Sequence, residues 1–174
     1  TKAISLDPDY SHNYYWRGRS CNEINKGEKA IEDLTIAISL DENEIYYHWR
    51  GGCYYKMGSY EKAIEDYTKA ITINPDSWGN YHYRGVCFTE IERYEKAIED
   101  LTKSISLNPD YVFDYHFRGR SYYGMENYEK AIEDLTKAIS LDPDYSHNYY
   151  WRGRSCNEIN KGEKAIEDLT IAIS

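Results

Sequence analysis

The sequence predicts an all-α chain made of repeated helix pairs, and three observations carry that prediction. First, Arg-Gly recurs at Arg17-Gly18, Arg50-Gly51, Arg84-Gly85, Arg118-Gly119 and Arg152-Gly153, spaced by 33, 34, 34 and 34 residues. A fixed period of this size marks a chain of stacked supersecondary units. Second, apolar and small residues around each Arg-Gly recur at helical spacing. Tyr81, Arg84/Gly85 and Phe88 form one stripe, and Ala97, Ile98, Leu101, Ser104 and Ile105 form a second. Third, Asn-Pro or Asp-Pro follows the second stripe at 74–75, 108–109 and 142–143. Proline disfavours helical geometry in the residue before it, so each dipeptide ends a helix.

Taken in order, residues 1–10 supply the tail of a preceding unit. With Gly at position 8 of each unit, the repeats run over 11–43, 44–77, 78–111, 112–145 and 146–174, the last stopping at position 29. A first helix is expected over roughly positions 2–14 and a second over roughly 18–30. On the second helix Glu99 and Lys103 sit one turn apart on the wet face. Gly at position 8 lets two helices approach closely, at a propensity cost of ~1 kcal/mol. Repeat one is a residue short, and Asp41-Glu42-Asn43-Glu44 replaces its proline turn. A locally irregular junction with repeat two is expected there. Gly27 and Gly162 replace the usual aromatic at position 17, and Ile36 and Ile171 replace Lys at position 26.

These residues resemble the tetratricopeptide repeat. Its order of aromatic, small, aromatic, Ala, apolar, Ala and Pro is carried by Tyr81, Gly85, Phe88, Ala97, Leu101, Ser104 and Pro109 in repeat three. In repeat four Tyr115, Gly119, Tyr122, Ala131, Leu135, Ala138 and Pro143 carry it. The resemblance spans essentially the whole chain. It implies a right-handed α-solenoid of antiparallel helix pairs with a concave groove lined mainly by first helices.

Two departures are informative. All five repeats carry Arg at position 7, where the family usually has Leu, and all five carry Asp at position 23. Position 23 borders the buried stripe of the second helix. The expected structural ion pairs are therefore Arg17, Arg50, Arg84, Arg118 and Arg152 with Asp33, Asp66, Asp100, Asp134 and Asp168, within a repeat or across to its neighbour. Such pairs set register more than stability, because a partly buried pair roughly breaks even.

Bulk properties exclude some classes. A net charge of -9 argues against a nucleic-acid partner, which needs clustered Lys and Arg. No apolar run has membrane length, and no signal peptide is visible, so no membrane partner is expected. Cys21, Cys53, Cys87 and Cys156 occur singly, as buried thiols would, which fits a reducing, cytoplasmic location. No catalytic constellation recurs outside the repeat template. Gly51-Gly52 lies inside a predicted helix rather than a phosphate loop. The chain is read as not an enzyme, with no cofactor.

His48, His82 and His116 share position 5 in three consecutive repeats, with Tyr15 and Tyr150 there in the other two. The resemblance places positions 2, 5, 9, 12 and 13 in the groove. These side chains, with Arg19, Arg120 and Arg154 at position 9 and Tyr55 and Tyr123 at position 12, are the expected partner-binding wall. His12 and His147 at position 2 would extend it. Metal binding is not expected, because stacked helices lie ~8–10 Å apart, too far for one ion to bridge. Family members that bind chaperone tails place Lys at position 5 and Asn at position 9. Both are absent, so that mode of carboxylate docking is not expected.

Residues 1–39 and 136–174 are identical at an offset of 135. Structural constraint would not hold surface choices such as Ser11, Asn22 and Asn25 constant. A recent duplication or a built array would. The chain reads as cut from a longer array, with no polar capping helix after Ser174. An uncapped face around Ala165, Ile166, Leu169 and Ile173 at one end, and around Ile4 at the other, predicts head-to-tail homo-association. The function expected is a non-enzymatic scaffold binding a protein or peptide in its groove. The alternative is a self-assembling array, as an excised or engineered fragment.

Overall fold

The computed structural model describes residues 2–7 and 9–173. Thr1 and Pro8 of the expected tail, and Ser174 where repeat five stops, lie outside the described residues. All regular structure among the described residues is helical: α1 (Lys2–Leu6), α2 (Ser11–Glu23), α3 (Gly27–Leu40), α4 (Glu44–Lys56), α5 (Tyr60–Ile73), α6 (Trp78–Glu90), α7 (Tyr94–Leu107), α8 (Val112–Gly124), α9 (Tyr128–Leu141), α10 (Ser146–Glu158) and α11 (Gly162–Ile173). First helices occupy positions 1–13 and second helices begin at position 17, each one residue earlier than the periodicity suggests. Two compact units result, one up to Cys87 and one from Phe88. The division falls inside α6 rather than between repeats.

Within the first unit α2 packs on α3, α3 on α4 and α4 on α5. In the second, α7 packs on α8, α8 on α9, α9 on α10 and α10 on α11. Positions 20, 24 and 27 of the second helices form the seam. Ala30, Leu34 and Ala37 are fully buried, as are Ala131, Leu135 and Ala138. Each such Leu contributes ~2 kcal/mol by leaving water. Position 8 meets this seam directly. A Cβ on Gly119 would lie 2.8 Å from Leu135 Cγ, and one on Gly153 would lie 2.9 Å from Leu169 Cγ. Close helix approach is what the glycine permits.

Every second helix carries Glu in its first turn, where it faces the positive end of the helix dipole. The turn inside each repeat holds position 15 at positive φ: Asn25, Gly58, Glu92, Glu126 and Asn160. Between repeats, Asn74 Oδ1 accepts from Asp76 N at 3.2 Å and Asp142 Oδ1 from Asp144 N at 3.1 Å. These Asx turns are what Asn-Pro-Asp and Asp-Pro-Asp encode. The junction between repeats one and two, expected to be irregular, is instead a short capped turn. Asn43 caps α4 by accepting from Ile45 N at 3.0 Å, and Tyr47 Oη donates to Glu42 Oε1 at 3.0 Å.

Candidate functional site: first-helix faces

Arg at position 7 reaches two repeats at once. Arg50 Nε and Nη2 donate to the two carboxylate oxygens of Asp66 at 2.9 and 2.7 Å, and Arg118 holds Asp134 at 2.7 and 2.7 Å. Arg152 holds Asp168 in the same fork, and Arg17 Nε meets Asp33 at 2.7 Å. The carboxylate belongs to the same repeat. The remaining nitrogen crosses to a Thr of the preceding one: Arg50 to Thr35, Arg84 to Thr68, Arg118 to Thr102 and Arg152 to Thr136. Arg84 and Asp100 fall in different units, and Asp100 is buried. Each of these arginines also lies over the Tyr at position 4, Arg50 5.6 Å from the Tyr47 centroid and Arg118 5.7 Å from that of Tyr115.

Burial pushes the Asp66 and Asp134 carboxyls up, and the arginine hydrogen bonds only partly offset it. Burial would lower the Arg50 and Arg118 guanidinium groups, yet the Asp hydrogen bonds and charges raise them. The carboxyl direction counts against the ionised pair and the guanidinium direction for it. Arginine is ionised at any ordinary pH, so the carboxyl direction is the informative one. The pair nearly breaks even and fixes register.

The position-5 side chains depart from the sequence expectation of an open wall. Tyr15 is 7% exposed and packs 5.3 Å from Tyr46, while His82 and His116 are 4% and 3% exposed. Tyr46 of the next repeat packs on Tyr15, and Asn148 of the next repeat reaches His116. His116 Nδ1 lies 2.8 Å from Oδ1 of buried Asn148, and His48 Nδ1 lies 2.7 Å from Asn80 Oδ1. Asn80 Nδ2 donates to Glu44 and Ser77, so its Oδ1 accepts and the His48 proton sits on Nδ1. Burial holds His116 down to about 4. Among the described residues Asn148 Nδ2 has no hydrogen-bond partner. His48 and Tyr150 remain accessible, Tyr150 at 41%.

The accessible layer is built by position 9 lying on position 6, a pairing that sequence reading passed over. Arg19 sits 5.2 Å from the Trp16 centroid and 4.7 Å from that of Trp49 in the next repeat. Arg120 lies 5.1 Å from Phe117 and 5.4 Å from Trp151, and Arg154 packs on Tyr123, Tyr150 and Trp151 at 4.9, 5.8 and 5.2 Å. Arg120 also meets Glu90 at 3.2 Å. The signal was present: every repeat has an aromatic at position 6, three residues before position 9 and so on the same helix face. Tyr123 packs edge-on to Trp151 at 5.3 Å. Tyr55 lines a cavity in the first unit with His48, Trp49 and Tyr83.

The surface of α11 also differs in part. Ala165 is 3% exposed and Leu169 is half-buried, because positions 20 and 24 face their own first helix. Ile166 and Ile173 are 70% and 86% exposed, and Ile4 is half-buried. The four cysteines are buried and form no disulfide. Among the described residues no helix is long and apolar enough to cross a membrane, and no three His, Cys, Asp or Glu side chains gather as a metal site.

The family model of the tetratricopeptide repeat matches residues 45–77, 81–111 and 115–145, over half of the chain. No curated protein matches it. Among solved structures, a MamA protein is 24% identical with a TM-score of 0.88, covering 95% of this chain and 91% of that one. MamA from Desulfovibrio magneticus RS-1, from residue 41 to its end, is 22% identical with a TM-score of 0.90 over 95% and 94%. YrrB, described as a TPR protein with an unusual peptide-binding site, is 21% identical with a TM-score of 0.84 over 99% and 89%. These likenesses speak for the fold, an all-α solenoid of antiparallel helix pairs. On its repeat motifs, its helix-pair packing and the family model alike, the chain belongs to the tetratricopeptide repeat family.

Proposed function

We propose that this chain is a non-catalytic interaction module that binds a protein or peptide segment on the first-helix faces. The observation that supports it is the layer of arginines stacked on rings. Arg19 lies with Trp16 and Trp49 in one unit, and Arg120 and Arg154 with Trp151 in the other. Aromatics and arginine are the residues that partner surfaces favour, and side chains already held by stacking lose little freedom on binding. YrrB, of the same fold, is described as having a peptide-binding site, which agrees with this reading. Four buried cysteines outside any disulfide favour a reducing compartment such as the cytoplasm.

The test is selection of a displayed random-peptide library, followed by titration of enriched peptides while indole resonances are recorded. Binders should shift Trp49 or Trp151 and lose affinity on Trp49→Ala or Trp151→Ala. Binders that leave both indoles unmoved would sink the reading.

A second reading, self-association, is favoured by Ile166 and Ile173 on one face of α11. Molar mass should then rise with concentration, and Ile166→Lys with Ile173→Lys should abolish the rise.

A further inference from the structure

In three repeats position 9 is an arginine, and its guanidinium lies on aromatic rings of its own repeat and of an adjacent one. Repeat two keeps the rings and lacks the arginine. Its position 9 is Gly52, and the rings that would flank a side chain there, Trp49 and Tyr83, line an open cavity of about 370 Å³ with His48, Tyr55 and Tyr67. We propose that this cavity receives an arginine side chain from a partner peptide, which stacks between Trp49 and Tyr83 in place of the guanidinium that the other repeats supply themselves. The proposal rests on the peptide-binding reading above and names the chemistry of its partner.

Three features suit a cation. Electron-rich ring faces attract a guanidinium, most strongly when it is out of water. Tyr67 stands where the other four repeats have Leu34, Leu101, Leu135 and Leu169. It is 1% exposed, it lines the cavity, and its hydroxyl oxygen can accept a hydrogen bond from a guanidinium. His48 has its proton committed to Asn80, which leaves a lone pair on the other ring nitrogen. Lys56 also lines the cavity, and its ammonium is turned toward Asn22 Oδ1 at 3.3 Å.

The space is compatible with an arginine on the chain itself. A Cβ on Gly52 would meet only the Tyr67 hydroxyl, at 3.8 Å, an ordinary contact. Gly52→Arg can therefore enter the cavity from within, placed in its repeat as Arg19, which lies on Trp16 and Trp49, is placed one repeat earlier.

The experiment selects a displayed random-peptide library on the wild-type chain and on Gly52→Arg, with far-UV circular dichroism to show both are folded. Peptides enriched on the wild type should share an arginine. Replacing that arginine by citrulline, its neutral isostere, should weaken binding about tenfold, the scale of a desolvated cation–π contact. Gly52→Arg should lose the same peptides. Should that variant not fold, Tyr67→Leu, which restores the residue of the other repeats, should weaken arginine peptides several-fold. Enriched peptides that bind wild type and Gly52→Arg equally, or tolerate citrulline, overturn the arginine pocket and leave the peptide-binding reading standing. Enrichment of no peptide at all overturns both.

Discussion

Arg118 grips both carboxylate oxygens of Asp134 at 2.7 Å each, and its remaining nitrogen reaches Thr102 of the preceding repeat at 3.0 Å. One side chain thereby ties its own hairpin and sets the register of the neighbouring one. Removing the carboxylate leaves a largely buried guanidinium unpaired. Asp134→Asn is expected to cost about 3 kcal/mol, whereas replacing Arg118 and Asp134 together by Leu should recover most of it. Urea unfolding midpoints of the three chains measure this. Equal losses in the single and double variants would contradict the pairing account.

His116 supplies a pH dependence with a definite sign. Burial lowers its folded value to about 4 from an ordinary 6.5. The neutral imidazole is the form that the fold favours. Its contribution is fully present above pH 6.5 and is lost as pH falls from 6.5 toward 4, by about 3 kcal/mol at most. The drop in urea midpoint over that range should shrink in His116→Gln. An imidazole titrating near its ordinary value by NMR would refute the burial.

Helix approach at position 8 can be tested by adding one carbon. Gly119→Ala places it 2.8 Å from Leu135 Cγ and should cost about 1–3 kcal/mol. At Gly162 nothing lies within 4 Å, and Gly162→Ala should stabilise by about 0.5 kcal/mol. Thermal melts of the two variants should move in opposite directions.

Position 15 holds Glu126 at φ 59°, a conformation that costs non-glycine residues about 1 kcal/mol. Gly58 fills the same place in repeat two. Glu126→Gly should raise the unfolding midpoint, and a fall would show that the Glu side chain has a compensating role.

Cys53 is 1% exposed, and burial pushes its thiol up to about 11. Thiolates, not thiols, attack thiol reagents. Cys53 should stay unmodified in the native chain and react fully in denaturant, as mass spectrometry after a short pulse would show.

The sequence by itself determined the repeat, its helix pairs and the glycine seam, because each follows from a local period. It named Arg at position 7 and Asp at position 23 as partners, and only the structure decided that Arg17, Arg50, Arg118 and Arg152 each hold the Asp of their own repeat. Exposure was not legible in the same way, and the chain contains a direct demonstration. Residues 1–39 and 136–174 are the same letters. Yet Tyr15 is 7% exposed and Tyr150 41%, and Leu34 is fully buried while Leu169 is only half-buried. In the first copy α4 packs on α3, and Tyr46 covers Tyr15 and hydrogen-bonds His12 at 2.7 Å. Among the described residues, no further repeat covers the second copy. The same reason buries His116 under Asn148, where the family resemblance placed it on an open wall. Only tertiary structure brought Tyr67, Trp49 and Tyr83 around Gly52, because those residues come from three helices and from two repeats. A local pattern states which way a side chain points. What it meets there depends on the neighbouring repeat.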